Sequence, residues 1–325
     1  MSKQTMTPER VGKEYNAGIS FNSGIDLYDC VETNENFFIG KQWEGVQSNG
    51  LPTPVFNFLK RVVLFSVANI STDNLKLWAR AMSSSGERNT QTLELVADIL
   101  NDQFASIFEH NSIGKSIREF TRNAAVDGDG CMYTYWDDTA ETGQASKGAI
   151  CTEVLMNTQV LFGNSNNRDV QSQPYIILER RMLLSEARKR AKRYGKDPDE
   201  IQPDNKDCGS NYMDSMSGSG NKVTVLLRLW KDDETGTVHS YECTRQAEIR
   251  EDIDLGIKLY PVTWMNWDYV QDCYHGQAMI TGLLPNQIFV NKLFAMSMIS
   301  LMTLAYPKVV YDSTKVAKWT NKIGG

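Results

Sequence analysis

The chain has 325 residues with 41% hydrophobic and 23% charged side chains, 34 basic against 40 acidic, and a net charge of −6. That apolar fraction excludes fibrous and mostly disordered classes and suits about two domains, each able to bury a core. The mildly acidic balance excludes tight, sequence-blind nucleic-acid binding, which needs many basic groups to release phosphate counterions.

The first 22 residues carry Lys3, Arg10 and Lys13 among polar groups, not the apolar core of a signal peptide. The expectation is therefore synthesis and folding in the cytoplasm. The six cysteines (Cys30, Cys131, Cys151, Cys208, Cys243 and Cys273) are widely spaced without a CxxC pair, and read as reduced thiols.

No pattern is clear before about Gly18, after which residues 21–35 read as a helix entering the body. Asn36-Phe37-Phe38-Ile39-Gly40-Lys41-Gln42-Trp43 and a polar connector lead to an apolar helix over 55–70, with Pro54 suited to its first turn. Val96, Leu100, Phe104 and Ile107 recur at helical spacing, predicting an amphipathic helix over 92–109. Ile113, Ile117 and Phe120 predict a second. Asp127-Gly128-Asp129-Gly130 then turns the chain into an aromatic strand over 131–136, which a strand over 149–162 pairs with.

Residues 174–179 read as a strand and 185–194 as a helix capped by Ser185 with Gly195 at its exit. From 198 to 222 apolar residues nearly vanish, predicting a mobile segment. Residues 223–230, 237–244 and 257–264 read as three strands of a small β-rich insert. A long helix follows over 276–305, closed by Tyr306-Pro307. Its apolar part, 293–306, is well short of the ~20 residues that span a bilayer and reads as buried core, Met296, Met298 and Met302 included.

Motifs that suggest chemistry fail on their spacing. Gly114-Lys115-Ser116 lacks the glycine a P-loop needs five residues earlier, where Glu109 stands, and a helix precedes it in place of a strand. Asp127 and Asp129 lack the late Glu of a calcium loop, and Cys131 occupies a ligand position. His110, His239 and His275 stand at no zinc-ligand spacing, and no G-x-S-x-G elbow is present. No catalytic, metal or cofactor site is expected. The densest charge cluster is basic: Arg180, Arg181, Arg188, Lys189, Arg190, Lys192 and Arg193, read either as a solvated helix face or as a surface for DNA or an acidic partner.

The order of these segments resembles the portal proteins of tailed bacteriophages, the ring at one capsid vertex through which DNA is packaged and ejected. The resemblance covers roughly 36–312. It rests on Asn36 to Trp43 with the following helix, on Val126-Asp127-Gly128-Asp129-Gly130-Cys131-Met132-Tyr133 and on Pro174-Tyr175-Ile176-Ile177 with the basic helix. It continues through Leu259-Tyr260-Pro261, Tyr274-His275-Gly276 and Leu284-Pro285-Asn286-Gln287-Ile288-Phe289-Val290-Asn291.

The resemblance implies an α+β portal-like fold. After an N-terminal segment (1–35) come a wing (36–180), a first stem helix (181–197), the mobile loop (198–222), a clip (223–267), a second stem helix (268–305) and a tunnel loop with the wing's resumption (306–325). The chain would then stop short of the helical crown. It further implies a homo-oligomeric ring, dodecameric in the family, with double-stranded DNA in the channel, terminase, head-completion or adaptor proteins and capsid protein as partners. Membrane and cofactor have no place, and the location is the virion after assembly in the host cytoplasm. Arg188, Lys189, Arg190, Lys192, Arg193, Lys292 and Lys308 are the candidates for DNA or partner contact.

Twelve copies at −6 each carry about −72, and an acidic wall lets a polyanion slide without sticking. Two other readings remain: a metal-dependent phage enzyme acting on nucleic acid with Asp127, Asp129, Asp137 and Asp138 as ligands, or another head–tail adaptor or minor capsid protein.

Overall fold

The structure, a computed structural model, describes residues 6–48, 50–71, 76–81, 90–141, 147–204 and 221–304, with Asp312, Thr314 and Lys315. The fold is α+β, with two antiparallel sheets and seven α-helices among the described residues. The breaks at Tyr306-Pro307, Lys308 and most of the 198–222 segment lie outside the described residues.

The patternless start is a helix, α1 (Pro8–Gly24). Thr7 accepts a hydrogen bond from the Arg10 amide and Pro8 occupies the first turn. Asp26 at φ 54° breaks the chain before α2 (Leu27–Ile39), so residues 21–35 belong to two helices rather than one. Helix α3 (Phe58–Ile70) starts later than Pro54 suggests. Asn57 caps it through the Lys60 amide, while the Pro54 carbonyl is taken by Trp43 Nε1 at 2.9 Å. Helices α4 (Thr90–His110) and α5 (Ile113–Asp127) follow as expected. Of α4's apolar positions, however, Leu93, Leu95, Val96, Ile99 and Leu100 are exposed, and Ala97 is the one buried residue among the described ones of this helix.

Strand β1 (Asp129–Asp137) is central in a three-stranded sheet, between β2 (Ala149–Leu155) and β8 (Val262–Asn266). The predicted strand over 149–162 is two pieces. A turn at residues 157–159 sends β3 (Val160–Phe162) into the second sheet, where it pairs with β4 (Ile176–Leu183). That second sheet continues through β5 (Lys222–Lys231), β6 (Val238–Cys243) and β7 (Glu248–Asp254).

The predicted three-stranded insert is therefore not a unit of its own. Strand β5 pairs with β4 over eight residues, β7 was unpredicted, and the third predicted strand forms only as β8, in the other sheet.

The sheets face each other across one core, with Cys131, Tyr133, Leu155 and Val262 packing on Phe162, Ile176, Leu178, Leu227 and Leu229. The opposite face of the five-stranded sheet is covered by α1 through Val11 and Tyr15. There Tyr15 donates to the buried Glu179 at 2.7 Å, and Arg228 holds Glu14 at 2.6 Å. Helix α6 (Leu184–Arg193) lies on the sheet through Ala187 and Ala191. Residues 198–204 are ordered against it. Ile201 is fully buried, and Asp204 accepts from the Thr224 amide at 2.9 Å and pairs with Arg181. The predicted mobility of 198–222 is thus not met at 198–204, and residues 205–220 lie outside the described residues.

Helix α7 (Met279–Leu304) packs on α2, α3 and α5, whereas α6 packs on β4, β5 and β7. The two helices that flank the 223–267 segment therefore do not run side by side as a pair of rods. Nor is the end of α7 buried: Met296, Met298, Leu301 and Met302 are exposed.

Candidate functional site

The basic cluster divides into an inner and an outer half. Because Ala187 and Ala191 face the sheet, the arginines flanking them reach inward partners. Arg188 donates through Nη2 to the Ile201 carbonyl at 3.0 Å, and Arg190 Nε lies 3.0 Å from a carboxylate oxygen of the buried Glu242. Arg180 pairs with Glu153 and lies over the rings of Tyr133 and Tyr135. Arg188 and Arg190 thus face a carbonyl and a carboxylate that would otherwise be desolvated alone, whereas the Glu153 partner of Arg180 is partly exposed. Lys189, Lys192 and Arg193 are exposed, and Arg193 has a loose pairing with Asp138 at 3.8 Å. Lys292 stands on α7, exposed and on a different part of the fold from α6. The six described residues of the seven predicted contacts are thus not one surface, and Lys308 lies outside the described residues.

The carboxylates of the metal reading do not converge either. Asp127 ends α5 and Asp129 starts β1, whereas Asp137 ends that strand about 26 Å from Asp129 at ~3.3 Å per residue. Asp137 is held below the usual carboxylate range by hydrogen bonds from the Thr139 hydroxyl and amide. Asp127 is pushed up to about 8, chiefly by burial and then by the nearby Glu35, with Arg122 pulling the other way. Among the described residues no three His, Cys, Asp or Glu side chains stand close enough together to hold a metal ion.

What the fold does bring together is a buried polar knot around Asp129, fully enclosed at 0% exposure. Helix α5 ends at Gly128 (φ 103°), and a Cβ there would lie 2.7 Å from the Gly276 carbonyl, so only glycine lets the two chain segments touch. Asp129 Oδ1 accepts from the Gly276 amide and from Asn266 Nδ2, both at 2.7 Å. Its Oδ2 meets His275 Nδ1 at 2.7 Å. His275 Nε2 in turn lies 3.1 Å from Asn22 Oδ1, which also accepts from the Tyr274 hydroxyl at 3.1 Å.

Both imidazole nitrogens and both carboxylate oxygens are engaged, and the cluster is sealed from solvent. It fastens α1, β1, β8 and the chain entering α7 to one another. The sequence motifs Asp127-Gly128-Asp129-Gly130 and Tyr274-His275-Gly276 are its two halves, and nothing in a one-dimensional reading links residues so far apart.

Two surfaces unread in the sequence complete the picture. Asn101 on α4 grips the backbone of Ala79, accepting from its amide at 2.7 Å and donating to its carbonyl at 3.2 Å. The strip thus held and helices α4 and α5 enclose a cleft of about 690 Å³, lined by Leu77, Trp78, Phe104 and Phe108, with Lys76, Asp98, Asp102 and Glu109 also at its wall.

The other surface is formed by α3 and α7. Gln287 donates to the Phe56 carbonyl at 2.7 Å and Asn291 to Gln42 Oε1 at 2.6 Å, so the inward face of α7 is polar at these positions. Phe289, Leu293 and Met296 are exposed on α7, and Val62 and Phe65 are exposed on α3, which packs against it. By length and composition α7 could cross a membrane. The chain matches no family model and no curated protein.

Proposed function

We propose that this chain is a subunit of a portal-type ring, a non-enzymatic conduit for phage DNA that also presents docking surface for the packaging motor, head-completion proteins and capsid. The observation that carries the reading is the amount of large apolar side chain left outward on three helices, α3, α4 and α7. Monomeric soluble proteins rarely expose contiguous apolar patches of more than a few hundred Å², and larger ones mark interaction sites. A subunit that completes its core against neighbours has this character.

Two further features support it. The segments that carry the family resemblance interlock in space around Asp129 and around the Gln42–Asn291 contact, as a shared scaffold requires. Lys189, Lys192 and Arg193 give a few exposed cations on an otherwise acidic protein, enough for transient phosphate contacts without tight binding. The stem, in this reading, is not an α6–α7 pair. Helix α7, the longest element among the described residues at about 39 Å for ~1.5 Å per residue, is the candidate for the channel wall.

The test is negative-stain electron microscopy and mass photometry on the purified full chain. The expected result is annular particles of about twelve copies. Monomers alone at tens of micromolar concentration overturn it.

A further inference from the structure

The two outward apolar surfaces differ in charge in a way that pairs them. Helix α4 carries Glu94, Asp98, Asp102 and Glu109 and no lysine or arginine. Helices α3 and α7 carry Lys60, Arg61 and Lys292 and no acid at all. Lys60 lies over the Phe38 ring at 5.5 Å. None of these seven side chains forms an ion pair among the described residues.

The spacing also matches. On α4, Leu95, Asp98 and Asp102 follow one another at three- and four-residue steps, and on α7 Phe289, Lys292 and Met296 do the same. On α3, Arg61 and Phe65 are four apart. Helix α4 and the α3/α7 pair are each an apolar stripe whose own charges are of one sign, and the signs are opposite; Lys76, on the strip across from α4, also stands at the cleft wall.

We infer that the α4 cleft of one copy receives the α3/α7 face of the next. The inference rests on the ring reading and specifies its contact. A face that is complementary to a different face of the same molecule makes a heterologous contact: each copy added leaves one of each surface free, and the chain of contacts closes when the rotation per copy permits. A self-complementary face would stop at a dimer.

The occupant is a second copy because one chain supplies both halves, with charges that repel α4 from α4 and α3/α7 from α3/α7. A bilayer is the poorer partner for α7. Lys292 lies at the middle of the helix, and Gln287 and Asn291 bind its first half to the body, whereas ionisable side chains at bilayer depth are costly.

The experiment is a charge swap on the full chain, read by mass photometry and sedimentation velocity with thermal melting alongside. Asp98→Lys with Asp102→Lys, and separately Arg61→Glu with Lys292→Glu, are each expected to shift assembled particles at least tenfold toward monomer with the melting temperature unchanged. Mixing the two double variants is expected to restore hetero-association, and combining all four substitutions in one chain to restore rings.

Rings that form in wild type and persist in both double variants overturn this interface while leaving the ring reading intact. Disassembly without rescue shows that the faces do not meet each other. A lowered melting temperature at constant mass places the contact within one chain, and binding to neutral-lipid vesicles at constant mass gives α7 to a membrane. Each of these results overturns the inference. A wild-type chain that never assembles removes the ring reading itself.

Discussion

Removing the Asp129 carboxylate tests whether the buried knot fixes the fold. In Asp129→Ala the Gly276 amide and His275 Nδ1 lose an acceptor that each meets at 2.7 Å beside a fully buried carboxylate, while Asn266 Nδ2 keeps the Tyr274 carbonyl at 2.7 Å. A buried donor without a partner costs about 1–3 kcal/mol, so two cost roughly 2–6 kcal/mol, against a whole-domain stability of about 5–15 kcal/mol. The variant is expected to be at the edge of folding.

Asp129→Asn keeps the shape, and its carbonyl can still accept from Gly276 and Asn266. Its new amide can donate to His275 Nδ1 provided the ring carries its proton on Nε2, where Asn22 Oδ1 accepts it. Only the charge assistance is lost, about 1–2 kcal/mol. Urea denaturation followed by circular dichroism separates the two cases. An alanine variant within about 1 kcal/mol of wild type, or an asparagine variant as damaged as the alanine one, would refute the bonding scheme.

Asp127 gives a pH dependence of the opposite sign to that of a salt-bridged carboxylate. Its folded-state pKa is raised to about 8 from 3.8, so between those values the folded chain holds a proton that the unfolded chain has released, and stability falls as pH rises. At ~1.4 kcal/mol per unit the fall totals on the order of 5 kcal/mol. Asp127→Asn abolishes this slope, and its advantage over wild type is expected to grow from pH 5 to pH 8. Parallel stability curves across that range would contradict it.

At Gly128 and Gly276 an added Cβ meets backbone carbonyl oxygens at 2.7 Å, so alanine at either is expected to lower stability by about 2–4 kcal/mol in the same urea titration. Gly12→Ala, inside α1 with open space around it, should raise stability by about 0.5–1 kcal/mol. Equal effects at the three sites would count against the close approach of the 128 and 276 segments.

Local chemistry made some elements legible and not others. Strand β1 was readable from its aromatic run and β5 from its apolar one, because each is buried by its own sheet partners. Strand β7 was not: Glu248, Arg250, Glu251, Asp252 and Asp254 leave Ile249 as its one buried residue, and only pairing with β6 makes it a strand. Helix α1 was missed although Thr7, Pro8 and Glu9 form an ordinary helix start, since its fully buried apolar residues, Val11 and Tyr15, are too sparse for a periodic signal. The division of residues 149–162 between two sheets rests on Asn157, which donates to the Asp127 carbonyl at 2.8 Å, a contact across 30 residues.

Helix α7 shows where periodicity itself misleads. Apolar spacing identifies side chains that leave water at a profit in free energy, but it does not say on which molecule their partner lies. Past its first turn, where Ile280 is buried, the buried residues of α7 are Gln287 and Asn291, each satisfied by a specific amide or carbonyl, and the residues turned outward include Phe289, Leu293 and Met296. Reading the apolar stripe as core would rotate the helix by half a turn and leave both amides without partners, at a cost of about 1–3 kcal/mol each. The polar pair therefore fixes the rotation of α7, and the outward stripe follows from it. The same inversion on α4, where Asn101, and Asn111 just past the helix end, hold backbone at Ala79 and Ile150 while Leu95 and Ile99 face out, makes the two surfaces products of one rule: amides orient the helix toward its own chain, and the apolar side chains are left for a neighbour.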